Sequence, residues 1–165
     1  MAPIEAPKLT HVFDLTVIGP PGFASEGTQH SATSVAHVYR GSLVSADGSI
    51  NLELKAGSDW MTLHEGYAHM DARVSCASPA ESQPQLQCDI RYLGVCAFDG
   101  PMLDLWKGKQ ESIDFGEAYY YTQPMLSSRS EALAWVNRTV FIAMGKLFVR
   151  SDGDVEAVYR MFKVG

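Results

Sequence analysis

Basic residues are scarce in this sequence: 13 Lys and Arg stand against 19 Asp and Glu, a formal net charge of -6 over 165 residues. A nucleic-acid binder needs a basic stripe to neutralise phosphates, and the chain has none. No hydrophobic run approaches the roughly 18 residues of a membrane helix. The opening Met1-Ala-Pro-Ile-Glu-Ala-Pro-Lys8 lacks the basic start and apolar stretch of a secretory signal, so the expected location is the cytoplasm. Cysteine is also sparse. Cys76, Cys88 and Cys96 include no CxxC pair, which removes zinc-ribbon and thioredoxin-type readings. Cys76 and Cys88 are spaced to face each other across a hairpin, but an odd total without a secretory route reads most simply as free, buried thiols. For the same reason the Asn137-Arg-Thr139 sequon is only formal. There is no GxSxG elbow, no glycine-rich phosphate loop and no HExxH. His11, His30, His37, His64 and His69 never fall at metal-ligand spacing on a helix. The expectation is a protein without metal or cofactor, without nucleic acid and without membrane.

What is present is β-patterning. With 46% hydrophobic residues, the chain can bury the core of a single domain over 1–165. Ile50, Leu52 and Leu54 alternate with Asn51, Glu53 and Lys55, a half-buried strand. His11 to Ile18 is β-branched and stops at Gly19-Pro-Pro-Gly22. Further strands are expected over 34–43, 66–76, 86–97, 118–122, 139–149 and 155–164, separated by Asp47-Gly48, Asp99-Gly100-Pro101 and Ser151-Asp-Gly-Asp154. Many short strands at close spacing predict a mainly β protein, a closed antiparallel barrel or a sandwich. Two short helical segments interrupt them. One lies within 101–110 and carries Leu103 and Trp106 inward; the other opens at the capping box Ser128-Arg-Ser-Glu131 and runs through Val136.

The most informative strand is Tyr67 to Cys76. Its odd positions, Tyr67, His69, Asp71, Arg73 and Ser75, are polar, and its even positions, Ala68, Met70, Ala72, Val74 and Cys76, are small or apolar. Alternation sends the two sets to opposite faces. In one reading the apolar row is core and the polar row meets water. In the other the polar row lines a barrel lumen. Gly57-Ser-Asp59-Trp60 delivers an acid beside a large aromatic, and Tyr119-Tyr120-Tyr121 puts a hydroxyl on each face of a strand. Turn capping and core packing are the plainer roles of these residues.

Together these segments resemble the family called domain of unknown function 3237. Gly57 to Val74 is similar to its Gly-x-Asp-Trp, Asp-Gly and Asp-Ala-Arg elements, and Tyr119 to Leu126 to its aromatic-x-Thr-x-Pro segment. Ala134 to Gly145 is similar to its Trp-Leu-Asn element and following strand, and Glu156 to Tyr159 to its last strand. The resemblance implies a small lipocalin-like antiparallel barrel in which Asp59, Trp60, Asp71, Arg73, Trp135 and Asn137 lie together. It implies no general activity. The chain departs from the family at Tyr121, at Leu126-Ser127 and at Glu65-Gly66, and the insertion Ser78 to Gln85 lengthens a hairpin expected to rim the barrel mouth.

Three functions fit. The first is a cofactor-independent enzyme of natural-product metabolism that isomerises, cyclises or rearranges an apolar small molecule by proton transfer. It has Asp71 as base, Arg73 as oxyanion clamp, Tyr120 or His69 as acid and Asp59 as rival base, with Trp60, Trp135, Asn137 and Tyr121 binding substrate. The second is a lipocalin-type carrier using the same lumen, in which Trp60, Trp106 and Trp135 give contact area and Asp71 and Arg73 form a structural ion pair. The third is a barrel with a filled lumen that works through an interface. A homodimer is compatible with each.

Overall fold

A computed structural model of the chain describes residues 4–28 and 31–165, and the side chains of 4–22 and 32–165; His30 lies outside the described residues. The strands are β1 (Leu9–Gly19), β2 (Phe23–Thr28), β3 (Ser31–Val38), β4 (Arg40–Ser45), β5 (Asn51–Leu63) and β6 (Tyr67–Ala77). They continue as β7 (Gln87–Ala97), β8 (Ser112–Ile113), β9 (Tyr120–Ser127), β10 (Phe141–Val149) and β11 (Val155–Val164). Eight of them close a barrel in the order β4-β1-β11-β10-β9-β7-β6-β5, because β5 pairs with both β4 and β6. Every pairing is antiparallel. Closure removes the exposed edges that an open sheet would present. β3 takes over from β4 along the second half of β5, and β2 lies outside β3.

Period-two patterning sets which side chains fill the barrel. Phe13, Leu15 and Val17 of β1 point in, as do Tyr120, Thr122 and Leu126 of β9 and Ala157, Tyr159 and Met161 of β11. Cys76 and Cys88 are directly opposite on β6 and β7, and all three cysteines are free and buried. Burial pushes each thiol up to about 12, so none is a ready nucleophile at neutral pH.

The alternation of Leu52 and Leu54 does not continue through β5. At Leu54/Ala56 the register with β6 slips by one residue, a β-bulge at Lys55. Before the bulge the even positions Leu52 and Leu54 are buried; beyond it Asp59 is buried and Trp60 is exposed. A one-residue slip exchanges the two faces of a strand. The bulge sits where β4 hands over to β3, at the bend around Tyr39.

The two ends are stoppered differently. The helix α1 (Gly100–Trp106) closes one end with Met102 and Leu105 as its buried residues, while Leu103 and Trp106 are half-buried. A 3-10 helix over Glu131–Arg138 closes the other, burying Leu133 and Val136. Its expected capping box does not form. Ser128 Oγ instead accepts from Ser130 N at 3.1 Å and donates to Gln87 O at 2.5 Å, and Ser130 makes no side-chain cap bond. Among the described residues no helix is long and apolar enough to cross a membrane.

Gly145 shows how tightly the interior is fitted. A Cβ built there would stand 2.4 Å from the Tyr120 ring. Gly145→Ala is expected to destabilise the protein by about 1–3 kcal/mol through overpacking, read as a lower urea midpoint. An unchanged midpoint would mean that the Tyr120 ring moves aside freely.

Candidate active site

The bulge delivers Asp59 into the barrel. Its cross-strand neighbours are Ala36 on β3 and Ala72 on β6, two small residues that leave room around the carboxyl. Beyond Ala72, β7 contributes Tyr92 at the same level. A cavity of about 70 Å³ opens here, lined by Asp59, Tyr92, Tyr120, Met61, Met70 and Cys96. Gly19–Gly22, Phe98, Met102 and Trp106 wall it at the α1 end. The exposed Pro20 and Pro21 mark its rim.

Asp59 is 8% exposed, and its Oδ1 has no hydrogen-bond partner among the described residues. Burial, reinforced by the negative charge of nearby Asp71, pushes its carboxyl up to about 7. The group therefore exchanges its proton near neutrality, as a general base should.

Three tyrosines stand behind it. Tyr120 and Tyr159 share a hydroxyl–hydroxyl hydrogen bond of 2.5 Å, and the Tyr92 ring lies 4.7 Å from that of Tyr159. Burial raises all three well above the ordinary tyrosine value, with the Asp59 charge adding to each. They stay protonated, so they serve as neutral hydrogen-bond donors. The Tyr92 hydroxyl makes no well-formed hydrogen bond among the described residues, although it lies close enough to Tyr159 to interact with it. Trp106, which also lines the cavity, has its buried Nε1 without a partner there.

The placement of the other expected residues corrects the sequence reading. The polar row of β6 faces outward and the apolar row faces the interior: Ala68, Met70, Ala72, Val74 and Cys76 are buried, whereas Tyr67, His69 and Arg73 are exposed. Asp71 leaves the lumen with them. It pairs with Arg91 of β7, not with Arg73, through two hydrogen bonds of 3.1 and 3.0 Å. That pairing holds the Asp71 carboxyl below the usual aspartate range, the opposite of a desolvated base. His69 sits on the outer wall against His64 and Tyr67.

The residues that the family resemblance groups together are dispersed. Trp60 and Tyr121 are exposed on the outside. Trp135 lies at the opposite end of the barrel, stacked on Phe13 at 5.7 Å. Asn137 is exposed and secures the 3-10 helix, accepting from Ser128 N and donating to Ser128 O. The hairpin 78–85 also lies at that opposite end and does not line the cavity. Of the expected site residues, Asp59 and Tyr120 reach the cavity, as does Trp106 of the carrier reading. The reading from residue order missed Tyr92 and Tyr159, although both stand at inward positions of alternating strands.

The family model for "Protein of unknown function (DUF3237)" matches residues 7–164. A search of curated proteins gives no match. Among solved structures, the chain is similar to a conserved protein of unknown function from Rhodopseudomonas palustris, with a TM-score of 0.78 and 14% identity over 98% of this chain and 100% of that one. A β-barrel-like protein from Acinetobacter baumannii matches with a TM-score of 0.71 and 16% identity over 100% of both chains. A protein described as an enzyme from Penicillium herquei matches with a TM-score of 0.65 and 11% identity, covering 100% of this chain and 99% of that one. At these identities the likeness establishes the barrel and nothing of its chemistry.

A buried acid raised to about 7 has a stability consequence. The unfolded chain releases this proton near the ordinary value of 3.8, so between about pH 4 and 7 the folded state holds a proton that the unfolded state has lost. The stability associated with Asp59 is complete at low pH and falls as pH rises through 7. Its full size is about 4 kcal/mol at most. Asp59→Asn is expected to flatten this slope in denaturation curves between pH 4 and 8 and to be the more stable protein at pH 8. Parallel slopes would show that Asp59 ionises normally.

Proposed function

The chain belongs to the DUF3237 family, proteins of unknown function, and we propose that its barrel is a cofactor-independent enzyme that moves a proton on an apolar small molecule. The reaction class is isomerisation, cyclisation or a related rearrangement, of the kind natural-product metabolism requires. The observation that carries this reading is the buried Asp59 carboxyl, unpartnered at Oδ1 and facing a mainly apolar cavity.

In the ionised form Asp59 accepts a proton from an acidic carbon or hydroxyl of the substrate. The electron pair left behind passes to a substrate oxygen as an enolate or alkoxide. A developing oxyanion in a water-poor cavity gains most from donors already in place. Tyr92 provides one such donor, and the Tyr120–Tyr159 hydrogen bond fixes the Tyr120 ring beside it. Asp59 then returns the proton to a second atom, and the substrate is rearranged with no net gain or loss. The cavity is smaller than the several hundred Å³ that drug-sized ligands fill, so it suits the reacting end of a molecule whose remainder extends past the Pro20–Pro21 rim.

Hydrogen–deuterium exchange at the α-carbon of acetophenone in D2O, followed by NMR, tests the base directly. The protein should accelerate exchange with a rate that rises through pH 7 to a plateau. Asp59→Asn should lose roughly 10²–10⁴ of that acceleration, whereas Asp71→Asn should retain it. Equal exchange by the Asp59→Asn variant removes Asp59 from the chemistry. Binding of acetophenone with no exchange in either protein favours the carrier.

A further inference from the structure

Asp59, Tyr92 and Trp106 all line one cavity, and each has a buried polar atom, Asp59 Oδ1, Tyr92 Oη and Trp106 Nε1, without a well-formed hydrogen bond among the described residues. Tyr92 Oη is nonetheless close enough to Tyr159 to interact with it. Their chemistry constrains what fits between them. An indole N–H only donates, and a tyrosine hydroxyl whose proton is retained also has a donor to place. Buried donors without acceptors cost free energy, so a ligand entering the cavity gains by bringing an acceptor oxygen.

Charge narrows the choice further. Neither lysine nor arginine is among the described residues lining the cavity, His37 in that lining is an exposed residue of β3, and Asp59 is the carboxylate there. An anionic ligand would be repelled by Asp59 without a cation to offset it. An ammonium ligand would pair with Asp59 and lie well against the aromatic rings. It would still leave Trp106 Nε1 without an acceptor. An uncharged molecule with a carbonyl oxygen satisfies the donors and can present an acidic C–H or O–H to Asp59.

We propose that the cavity selects uncharged apolar carbonyl compounds, and that Trp106, through its Nε1–H donating to the carbonyl oxygen, is a specificity-determining residue. The proposal rests on the cavity being the functional site assigned above. Trp106 is well placed for the role, since it ends α1 and its ring stacks on Phe98 at 6.2 Å and 18°. That contact orients the indole before any ligand arrives.

The test is calorimetric titration of the full chain at pH 8 with four probes of similar shape: acetophenone, benzoate, benzylammonium and ethylbenzene. Acetophenone is expected to bind at least tenfold more tightly than benzoate or benzylammonium. Trp106→Phe keeps an aromatic ring and removes the N–H, so it should weaken acetophenone by about two- to tenfold and leave ethylbenzene unchanged. Benzoate or benzylammonium binding as tightly as acetophenone overturns the proposal, as does a Trp106→Phe variant that weakens both neutral probes equally or neither. Absence of binding by every probe overturns it as well. The probe series is read on the unaltered protein, so it decides even where Trp106→Phe fails to fold. Selective binding of acetophenone without α-exchange would defeat the catalytic reading alone, whereas exchange with no selectivity would defeat this one alone.

Discussion

One extra residue in one strand governs the interior of this barrel. Without the bulge at Lys55, the phase set by Leu52 and Leu54 would carry Trp60 inward and leave Asp59 in water. With it, the acid turns in and the tryptophan turns out, and neither change requires any alteration of β6 opposite. The bulge lies where the barrel wall passes from β4 to β3, a place where the ladder is already interrupted. A closed eight-stranded barrel leaves little other freedom to re-aim a single side chain, because every strand is pinned on both sides.

Burying that carboxyl then sets the electrostatics around it. A lone acid in an apolar interior either finds a cation or keeps its proton. The described residues of the cavity offer no lysine or arginine, and the proton is held to about pH 7. The nearby tyrosines hold their own protons more tightly because they are buried too, with the Asp59 charge adding a smaller part, which makes them donors and not acids. The result is a poised base and fixed dipoles in one small space. Such an arrangement opposes stability at neutral pH, a common cost where a protein keeps a reactive group in reserve.

The outer wall shows the contrast. Asp71 and Arg91 are both partly solvated and neutralise each other across β6 and β7 in a forked geometry. Exposed pairs of this type contribute little to stability, and here the pair settles the ionisation of Asp71 in the opposite direction from that of Asp59. Two aspartates on adjacent strands, one on each face of the sheet, thus have opposite titration behaviour for purely environmental reasons. Barrels from two bacteria and a fungus share this architecture at 11–16% identity. Such distance is ample for a common shell to hold different chemistries.

Period-two alternation, turn residues and composition by themselves determined the β class, most of the strand segments and the two short helical interruptions. They also offered Cys88 as the residue facing Cys76 and separated the two faces of β6, because these depend only on neighbours along the chain and on one hairpin. Which of those two faces looks inward was a property of the closed barrel: the small side chains Ala68, Ala72 and Cys76 fit the interior, and the larger polar row does not. Local pattern also could not reveal the bulge, since Lys55 is an ordinary strand residue whose insertion is decided by how β5 must meet three different partners. The gathering of Asp59, Tyr92, Tyr120 and Tyr159 was decided only in three dimensions. These residues come from four separate strands and meet because barrel closure, a non-local event, brings their inward rows to one level.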